Sequence, residues 1–403
     1  MFIYKAGVVG AGAMGAGIAQ VISFSGLPVV LKDVDEAKVQ KGLEMVRKAY
    51  QGRVDKGKMT AAELEQKMSL VTGSTSWDDF KDCDLAVEAV FERLDVKQAV
   101  FKELEKVLPE TAILATNTSA LSITRIASAV SRPEKVIGLH FFNPAPVMKL
   151  VEVIPGLQTA SDVVDDTVAF AESLRKMPVR VKECAGFLVN RLLMPYLNEA
   201  VYAFQEGAAG TEEIDAALRT FGMPMGPFVL LDMLGLDVCE DVAGILEDSF
   251  GPRMASAALF SGMVKAGRLG TKNGAGFYPY AEGKSADLMP FQEAVQAQTK
   301  VKGTAFSPER LVYQMVNEAA YCLEENVASP SDVDLAMLAG TGFPQDKGGP
   351  LHYADSVGLD KVLAGLEDFR KALGPRFWPA PLLKRMVSAG YLGVKAKKGF
   401  FNY

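Results

Sequence analysis

The chain has few of the residues from which metal centres and disulfide frameworks are built. Its 403 residues include two histidines and four cysteines. The cysteines are scattered and form no CxxC or Cys/His spacing, which argues against a zinc framework and favours reduced thiols in a cytosolic protein. The four are Cys83, Cys184, Cys239 and Cys322. We therefore predict no metal site and no disulfide.

Long apolar runs and concentrated positive charge are also missing. No apolar run approaches the roughly 20 residues that a membrane-spanning helix needs. The net charge is -6 and no long basic run occurs, so nucleic acid is not an expected partner. The amino terminus, MFIYKAGVVGAG, passes directly into a strand pattern without the features of a secretory signal. We expect a cytoplasmic protein without a membrane span.

Short strand patterns alternate with helical patterns over residues 1–183. The strand patterns are KAGVVG, PVVLKDVD, CDLAVEAV, AILATNTS and KVIGLHF. This alternation predicts an α/β Rossmann domain with a doubly wound, parallel sheet. Residues 35–69 are highly charged and predict two helices, joined near RVDKGKMT, that project from the sheet as a hairpin.

The remainder of the chain is helical in pattern and repeats itself. NEAVYAFQEGAAGTEEIDAAL resembles NEAAYCLEENVASPSDVDLAM, GPFVLLDMLGLD resembles GPLHYADSVGLD, and RLGTKNGAGFYPY resembles YLGVKAKKGFFNY. The three matches occur in the same order in both halves, which indicates a duplicated domain. We predict two tandem all-α domains, residues 184–281 and 306–403, joined by a polar linker over 282–305.

A glycine turn follows the first strand. Gly10, Gly12 and Gly15 have the GxGxxG spacing that allows a tight turn, close approach of a pyrophosphate and packing of the next helix. The motif is weak alone, but here a strand precedes it and Asp33 ends the next strand. Asp33 can accept hydrogen bonds from ribose hydroxyls and would repel a 2′-phosphate, which favours NAD over NADP. The neighbouring Lys32 weakens that inference.

Further polar candidates follow two later strands. Glu92 and Lys97 come just after one strand, and Asn117 and Ser119 end the next. The carboxyl ends of parallel strands are where ligands of open α/β sheets bind. Each residue also has an ordinary explanation, since Ser119 could cap a helix and the others could lie in a solvated loop.

The segment GLHFFNPAPVMKLVEVIPG contains His140, Asn143 and Glu152. A lone histidine at a strand end is more often structural than catalytic. The prolines and Asn143, however, predict a turn that brings Glu152 back beside His140. A carboxylate at an imidazole fixes the ring tautomer and favours the protonated ring, which suits a general base that removes a hydroxyl proton.

Five segments together resemble the L-3-hydroxyacyl-CoA dehydrogenases: GAGAMGAGIA, NTSALSIT, GLHFFNPAPVMKLVEVI, GFLVNRLLMPYLNEA and MGPFVLLDMLGLD. The resemblance covers essentially the whole chain. It implies that His140 is the general base, that Glu152 is its partner, and that Ser119 and Asn190 hydrogen-bond the substrate. It also implies a set of residues in contact with NAD: Met14, Asp33, Glu92, Lys97, Ser119 and Asn143.

The second helical copy departs from the short members of this family. It resembles the dehydrogenase portion of multifunctional fatty-acid oxidation subunits, in which the second copy packs as a partner's domain would. This implies a monomer with an internal pseudo-dimer, or a further homo-oligomer of it. Glu309 stands where a second Asn190 would be, so we interpret this copy as scaffold. Tyr353 loosely matches a substrate-contacting tyrosine. The start at Met1 favours a natural monofunctional enzyme over a fragment.

The function implied is NAD-dependent interconversion of (S)-3-hydroxyacyl-CoA and 3-oxoacyl-CoA, in β-oxidation or in 3-hydroxybutyryl-CoA metabolism. The resemblance also implies cooperation with thiolase and enoyl-CoA hydratase. Two alternatives stay open. One is a structural or binding member of the superfamily, as a lens crystallin is, because fold does not guarantee activity. The other is a dehydrogenase of a free 3-hydroxy acid, a class that uses a lysine base and lacks the HFFNP element.

Overall fold

The structure, a computed structural model, describes residues 1–285, 287–299, 303 and 305–403. Contacts between residues divide the chain into two units, Met1–Phe187 and Leu188–Tyr403. The predicted linker 282–305 falls partly outside the described residues. The first unit contains the predicted sheet, and the second contains both helical copies.

Eight strands form one sheet in the first unit. They are β1 Ala6–Val9, β2 Val29–Lys32, β3 Val71–Ser74, β4 Leu85–Glu88, β5 Ile113–Thr116, β6 Val136–Phe141, β7 Leu150–Pro155 and β8 Met177–Arg180. Their order across the sheet is β3-β2-β1-β4-β5-β6-β7-β8. All neighbouring pairs are parallel except β6 and β7, which are antiparallel. The predicted Rossmann sheet is confirmed. The sequence patterns missed β3 and β8, because both are four-residue edge strands that are only partly buried.

Helices cover the sheet of the first unit. They are α1 Ala13–Phe24, α2 Glu36–Val54, α3 Ala61–Met68, α4 Leu94–Val107, α5 Ile123–Ala127 and α6 Ser161–Ser173. The helices α2 and α3 fall where a hairpin was predicted, but α2 does not project from the sheet. It buries Val39, Val46 and Tyr50, and the Tyr50 hydroxyl lies 2.7 Å from Ser23 Oγ in α1. Burial raises the pKa of Tyr50 to about 12. Although α2 is rich in charged residues, one of its faces is an apolar stripe that packs against α1.

The second unit is helical. Its helices are α7 Val189–Gln205, α8 Thr211–Phe221, α9 Pro227–Leu234, α10 Leu236–Phe250, α11 Ala258–Lys265, α12 Met289–Thr299, α13 Glu309–Glu324, α14 Pro330–Thr341, α15 Pro350–Val357, α16 Leu359–Leu373 and α17 Pro381–Ser388. The helix α12 lies inside the predicted linker, and Gln292 in α12 donates to the carbonyl of Phe204 in α7. Within the described part of the chain, no helix is long and apolar enough to cross a membrane.

The two copies of the repeat meet along α7 and α13 through reciprocal buried ion pairs. Arg191 Nε lies 2.7 Å from Glu318 Oε1, and Arg310 Nε lies 2.7 Å from Glu199 Oε1. Arg310 and Glu318 are the second-copy counterparts of Arg191 and Glu199. Removing one partner of such a buried pair costs about 3–5 kcal/mol, because the remaining charge stays desolvated. The pairs therefore fix how the two copies pack against each other.

Candidate active site

The hairpin of β6 and β7 places His140 directly opposite Glu152. Opposed residues on antiparallel strands have adjacent Cβ atoms, so their side chains meet on one face of the sheet. His140 Nδ1 lies 2.7 Å from Glu152 Oε2, and both side chains are buried. A proton on Nδ1 that is donated to Glu152 leaves Nε2 as the acceptor of the ring. The structure therefore brings together the acid and the base that the sequence predicted as a pair.

Two phenylalanine rings flank the imidazole of His140. The ring centre of Phe142 lies 4.5 Å from that of His140, and the ring centre of Phe187 lies 5.9 Å from it. Phe187 is buried and has a φ of 51°, in the left-handed region that bulky residues rarely adopt. Such backbone strain concentrates at functional sites. Phe187 could not be predicted from the sequence, because no local pattern indicates a positive φ at a phenylalanine.

The glycine turn has room for a bound dinucleotide. Gly10 has a φ of 103°, and a Cβ there would lie 2.6 Å from the carbonyl oxygen of Ala89. A Cβ on Gly15 would lie 1.7 Å from the carbonyl oxygen of Gly10, so α1 can pack here only with glycine. A Cβ on Gly12 would meet no atom within 4 Å. The turn is therefore tight on its protein side and open on the side where a pyrophosphate would bind.

The carboxylate of Asp33 lies beside this turn, and the ammonium of Lys32 donates to the backbone carbonyl of Asp33 at 3.3 Å. Asp33 Oδ2 accepts from the backbone N–H of Ala11 at 2.8 Å. The ammonium of Lys32 lies 4.2 Å from the ring centre of Trp77, and burial lowers the pKa of Lys32. Met14 is half-buried in the first turn of α1. The arrangement places the carboxylate of Asp33 at the glycine turn, while the ammonium of Lys32 faces Trp77.

An internal ion cluster supports the ends of β4 and β5. Lys97 is buried, and its Nζ lies 2.8 Å from Glu88 Oε1 and 3.2 Å from Glu92 Oε2. Burial opposes the ionisation of Glu92, but Lys97 and several hydrogen bonds outweigh it and lower the pKa of that carboxyl group. Glu92 Oε1 accepts from the backbone N–H of Ser119 at 2.8 Å. The cluster thus fixes the NTS segment. Glu88 could not be predicted as a member, because it lies within the apolar pattern of β4.

Asn117 connects the NTS segment to the strand of the histidine. Its Oδ1 accepts from the backbone N–H of Phe141 at 2.8 Å, next to His140. Asn143 follows β6 and is exposed. The predicted residues Asn117, Ser119, His140 and Asn143 therefore lie at the carboxyl ends of β5 and β6, on the same edge of the sheet as the glycine turn after β1.

Two predicted site residues belong to the second unit. Asn190 is half-buried in the first turn of α7. Tyr353 in α15 contacts two aromatic rings, with ring centres 5.2 Å from Phe221 and 6.5 Å from Phe343. Burial raises the pKa of Tyr353 above its ordinary value. Among the described residues, no group of three or more His, Cys, Asp or Glu side chains could hold a metal ion.

Comparison with known proteins gives the same family across the chain. Residues 5–184 match the family described as 3-hydroxyacyl-CoA dehydrogenase, NAD binding domain. Residues 186–280 and 306–403 match the family described as 3-hydroxyacyl-CoA dehydrogenase, C-terminal domain. The two C-terminal matches correspond to the two copies of the repeat.

Individual relatives agree with the family match. The fatty acid oxidation complex subunit alpha of Shewanella amazonensis is 42% identical over 394 residues, which cover 96% of this chain and 56% of the relative. The chain thus spans little more than half the length of the curated relatives that it matches. The crystal structure of 3-hydroxybutyryl-CoA dehydrogenase from Escherichia coli is 32% identical with a TM-score of 0.87, covering 97% of this chain and 100% of that one. That of (S)-3-hydroxybutyryl-CoA dehydrogenase from Ralstonia eutropha is 42% identical with a TM-score of 0.68, covering 70% and 100%. The chain belongs to the 3-hydroxyacyl-CoA dehydrogenase family, and its first unit is the NAD-binding domain of that family.

Proposed function

We propose that this protein is an NAD-dependent L-3-hydroxyacyl-CoA dehydrogenase, which interconverts (S)-3-hydroxyacyl-CoA and 3-oxoacyl-CoA. The observation that carries the proposal is the buried contact between His140 and Glu152 at the edge of the sheet where the glycine turn also lies. Ligands of open parallel sheets bind at that edge. The printed names of the relatives, a fatty acid oxidation complex subunit and two 3-hydroxybutyryl-CoA dehydrogenases, support the same substrate class.

The dyad supplies the proton chemistry. Because Glu152 engages Nδ1 of His140, Nε2 takes the proton of the 3-hydroxyl group when the alcohol is oxidised. Glu152 then stabilises the imidazolium and keeps the ring in place. The glycine turn and Asp33 would hold NAD⁺, which would supply the acceptor for the hydride of carbon 3. In the reverse direction His140 returns its proton to the 3-oxygen. Water is kept from the ring by Phe142 and Phe187.

The remaining site residues bind and orient the substrate and the cofactor. Ser119 and Asn190 donate hydrogen bonds to the substrate near its 3-oxygen and thioester carbonyl, and Tyr353 contacts the substrate as well. Lys97 acts through Glu92, since its ammonium is buried in the ion cluster. The residues proposed to form the cofactor site are Gly10, Gly12, Met14, Gly15, Asp33, Glu92, Lys97, Asn117, Ser119 and Asn143.

Reduction of acetoacetyl-CoA, followed by the loss of NADH absorbance, tests the function. Turnover in the ordinary enzymatic range of about 1–10³ s⁻¹ is expected. Free acetoacetate and free 3-hydroxybutyrate serve as controls, and neither should react at a comparable rate. Turnover of the free acids alone would indicate the other dehydrogenase class. NADH binding without turnover of any of these compounds would indicate a structural or binding protein.

Asp33 determines the choice of nucleotide in this proposal. Its carboxylate repels a 2′-phosphate, so kcat/KM with NADH should exceed that with NADPH by at least about tenfold, which corresponds to ~1.4 kcal/mol. Asp33→Ala should lower the ratio of kcat/KM with NADH to kcat/KM with NADPH. Lys32→Ala should leave this ratio unchanged, because the ammonium of Lys32 lies on the ring of Trp77. A preference for NADPH in the wild type would show that Asp33 does not face the ribose.

We propose further that the second copy of the repeat replaces a dimer partner, and that the protein works in the cytoplasm beside thiolase and enoyl-CoA hydratase. The reciprocal pairs of α7 and α13 support the first point. The name of the relatives, subunits of a fatty acid oxidation complex, supports the second. A chain that ends at residue 283 exposes the face of α7 and should dimerise or precipitate, as measured by light scattering. A monomeric, fully active shortened chain would contradict this role.

A further inference from the structure

The segment between the two strands of the dyad is packed against the nucleotide helix. This segment, residues 143–149, is called here the connecting loop. Ala145 in the loop is buried. A Cβ added to Gly17 of α1 would lie 3.3 Å from Ala145 Cβ and 3.2 Å from Pro146 Cδ, tighter than ordinary contacts. The loop therefore packs closely on α1 at Gly17, two residues beyond the last glycine of the motif.

One ammonium group holds the connecting loop from the inside. Lys176 Nζ donates to the carbonyl oxygens of Ala145 at 2.6 Å and Met148 at 2.8 Å. Both acceptors are uncharged backbone groups, and burial lowers the pKa of Lys176 to about 8. Lys176 is half-buried, and partial removal of its ammonium from water costs free energy that the two carbonyl acceptors offset.

The position of Lys176 is itself constrained. It follows α6 directly after Arg175, which has a φ of 59°, and its backbone N–H donates to the carbonyl of Ala171 at 3.1 Å. The next residue, Met177, donates its N–H to the carbonyl of Lys149 at 2.8 Å, at the end of the same loop. The Lys176 side chain therefore projects from a fixed turn, so it can hold the loop in one position.

The connecting loop joins the parts of the site that must act together. Asn143 begins the loop, His140 lies just before it on β6, and Glu152 lies just after it on β7. We propose that Lys176 is a positioning residue: by binding both halves of the connecting loop, it holds Asn143 and the dyad strands against α1 in the arrangement that the bound cofactor requires. The proposal rests on the proposed function for the role of the dyad, and only on the NAD-binding domain for the role of the loop.

Lys176→Met is the direct test, and Lys149→Met is its matched control. Lys149 lies in the same loop, but its side chain is exposed. Lys176→Met should raise the Kd for NADH by fivefold or more and increase deuterium uptake by residues 143–149. Lys149→Met should change neither value by more than twofold. If Lys176 had only a general structural role, the variant would melt at a lower temperature but would bind NADH as the wild type does.

Wild-type NADH affinity together with wild-type uptake in a folded Lys176→Met protein would overturn the proposal. If that variant does not fold, Lys176→Gln takes its place, because its amide retains two N–H donors at a shorter reach. Lys176→Gln should then raise the Kd for NADH and increase deuterium uptake by residues 143–149, both by less than Lys176→Met would. Wild-type values of both would again overturn the proposal. Both readouts are made without thioester. A protein inactive on acetoacetyl-CoA would therefore disprove the proposed function while still reporting on Lys176.

Discussion

The two histidines of the chain form the same contact in different parts of the molecule. His140 Nδ1 lies 2.7 Å from Glu152 Oε2 in the first unit, and His352 Nδ1 lies 2.6 Å from Asp334 Oδ2 in the second. By distance and atom type the two pairs are equivalent. We propose catalysis for the first pair and a structural role for the second, because their surroundings differ.

The carboxyl group of the second pair is already used by the backbone. Asp334 accepts from the N–H groups of Leu351 at 2.8 Å and His352 at 3.1 Å, in the first turn of α15. The imidazole of His352 stacks on Phe401, with ring centres 3.8 Å apart. Asp334 therefore caps a helix, and His352 is a further donor to that cap.

The first copy of the repeat builds the same cap without a histidine. Asp215, the counterpart of Asp334, accepts from the N–H of Phe228 at 2.9 Å and from the hydroxyl of Tyr278 at 2.8 Å. Val229 stands where the second copy has His352, and Tyr278 stands where it has Phe401. A tyrosine hydroxyl thus replaces the imidazole, which is possible only if the imidazole serves as a hydrogen-bond donor. Position in the fold, more than the pair itself, distinguishes a catalytic dyad from a helix cap.

Replacing each histidine by alanine should give the largest difference between the two pairs, because only one of the two variants should lose turnover. His140→Ala should lower kcat by about 10²-fold or more, the scale of a positioned general base, with little change in NADH affinity. His352→Ala should leave kcat within twofold. Acetoacetyl-CoA reduction by NADH measures both variants. An equal loss in the two would mean that the distinction between the pairs is wrong.

The carboxyl groups of Glu152 and Asp334 can be compared by replacing each with its isosteric amide. Glu152→Gln should lower kcat by about tenfold or more, and the double variant with His140→Ala should be far less than additive, since the pair acts as a unit. Asp334→Asn should leave kcat unchanged but lower the free energy of unfolding by about 1–3 kcal/mol, because buried N–H groups lose an acceptor. Steady-state kinetics and urea unfolding separate the two outcomes. Full additivity at His140 and Glu152 would show that they act independently.

The structural role of His352 can be tested by giving the second copy the residues that the first copy has at the same positions. His352→Val should lower the free energy of unfolding by about 1–2 kcal/mol, because Asp334 loses a donor. Adding Phe401→Tyr introduces the hydroxyl that the first copy uses, and at least half of the loss should be recovered. Phe401→Tyr alone is the control and should change stability little. A double variant no more stable than His352→Val would show that the copies do not share the cap chemistry.

The smallest expected effect is the pH dependence of the cap. Burial raises the pKa of Asp334 above its ordinary value of 3.8, although its hydrogen bonds act in the opposite direction. The folded protein then binds this proton more tightly than the unfolded chain does. The stability due to Asp334 is fully present below pH 3.8 and is lost as the pH rises through the raised pKa. Relative to Asp334→Asn, the wild type should become less stable over that range, as measured by urea unfolding at several pH values. The opposite slope would show that the hydrogen bonds outweigh burial.

Local patterns in the sequence predicted much of the molecule. The glycine turn, the alternating strands and the β6–β7 hairpin follow from short-range rules of chain geometry, and the hairpin alone brings His140 to Glu152. The repeat is visible because its segments recur in order. The predicted preference for NAD over NADP rests on one residue, Asp33, at a strand end. Each of these features depends on residues that are close in sequence or on a repeated pattern.

The tertiary structure decided which charged side chains are buried with partners and which stay exposed to solvent. Lys97 is indistinguishable from a solvated loop lysine in the sequence, yet it is buried between Glu88 and Glu92. Lys176 carries no motif, and its two carbonyl partners lie far from it in the chain. The left-handed backbone of Phe187 likewise has no local signal. Local sequence determines strands, turns and repeats, because those depend on steric preferences of neighbouring residues. Long-range packing decides the partner of a buried charge, because desolvation and hydrogen bonding act only once distant segments have met.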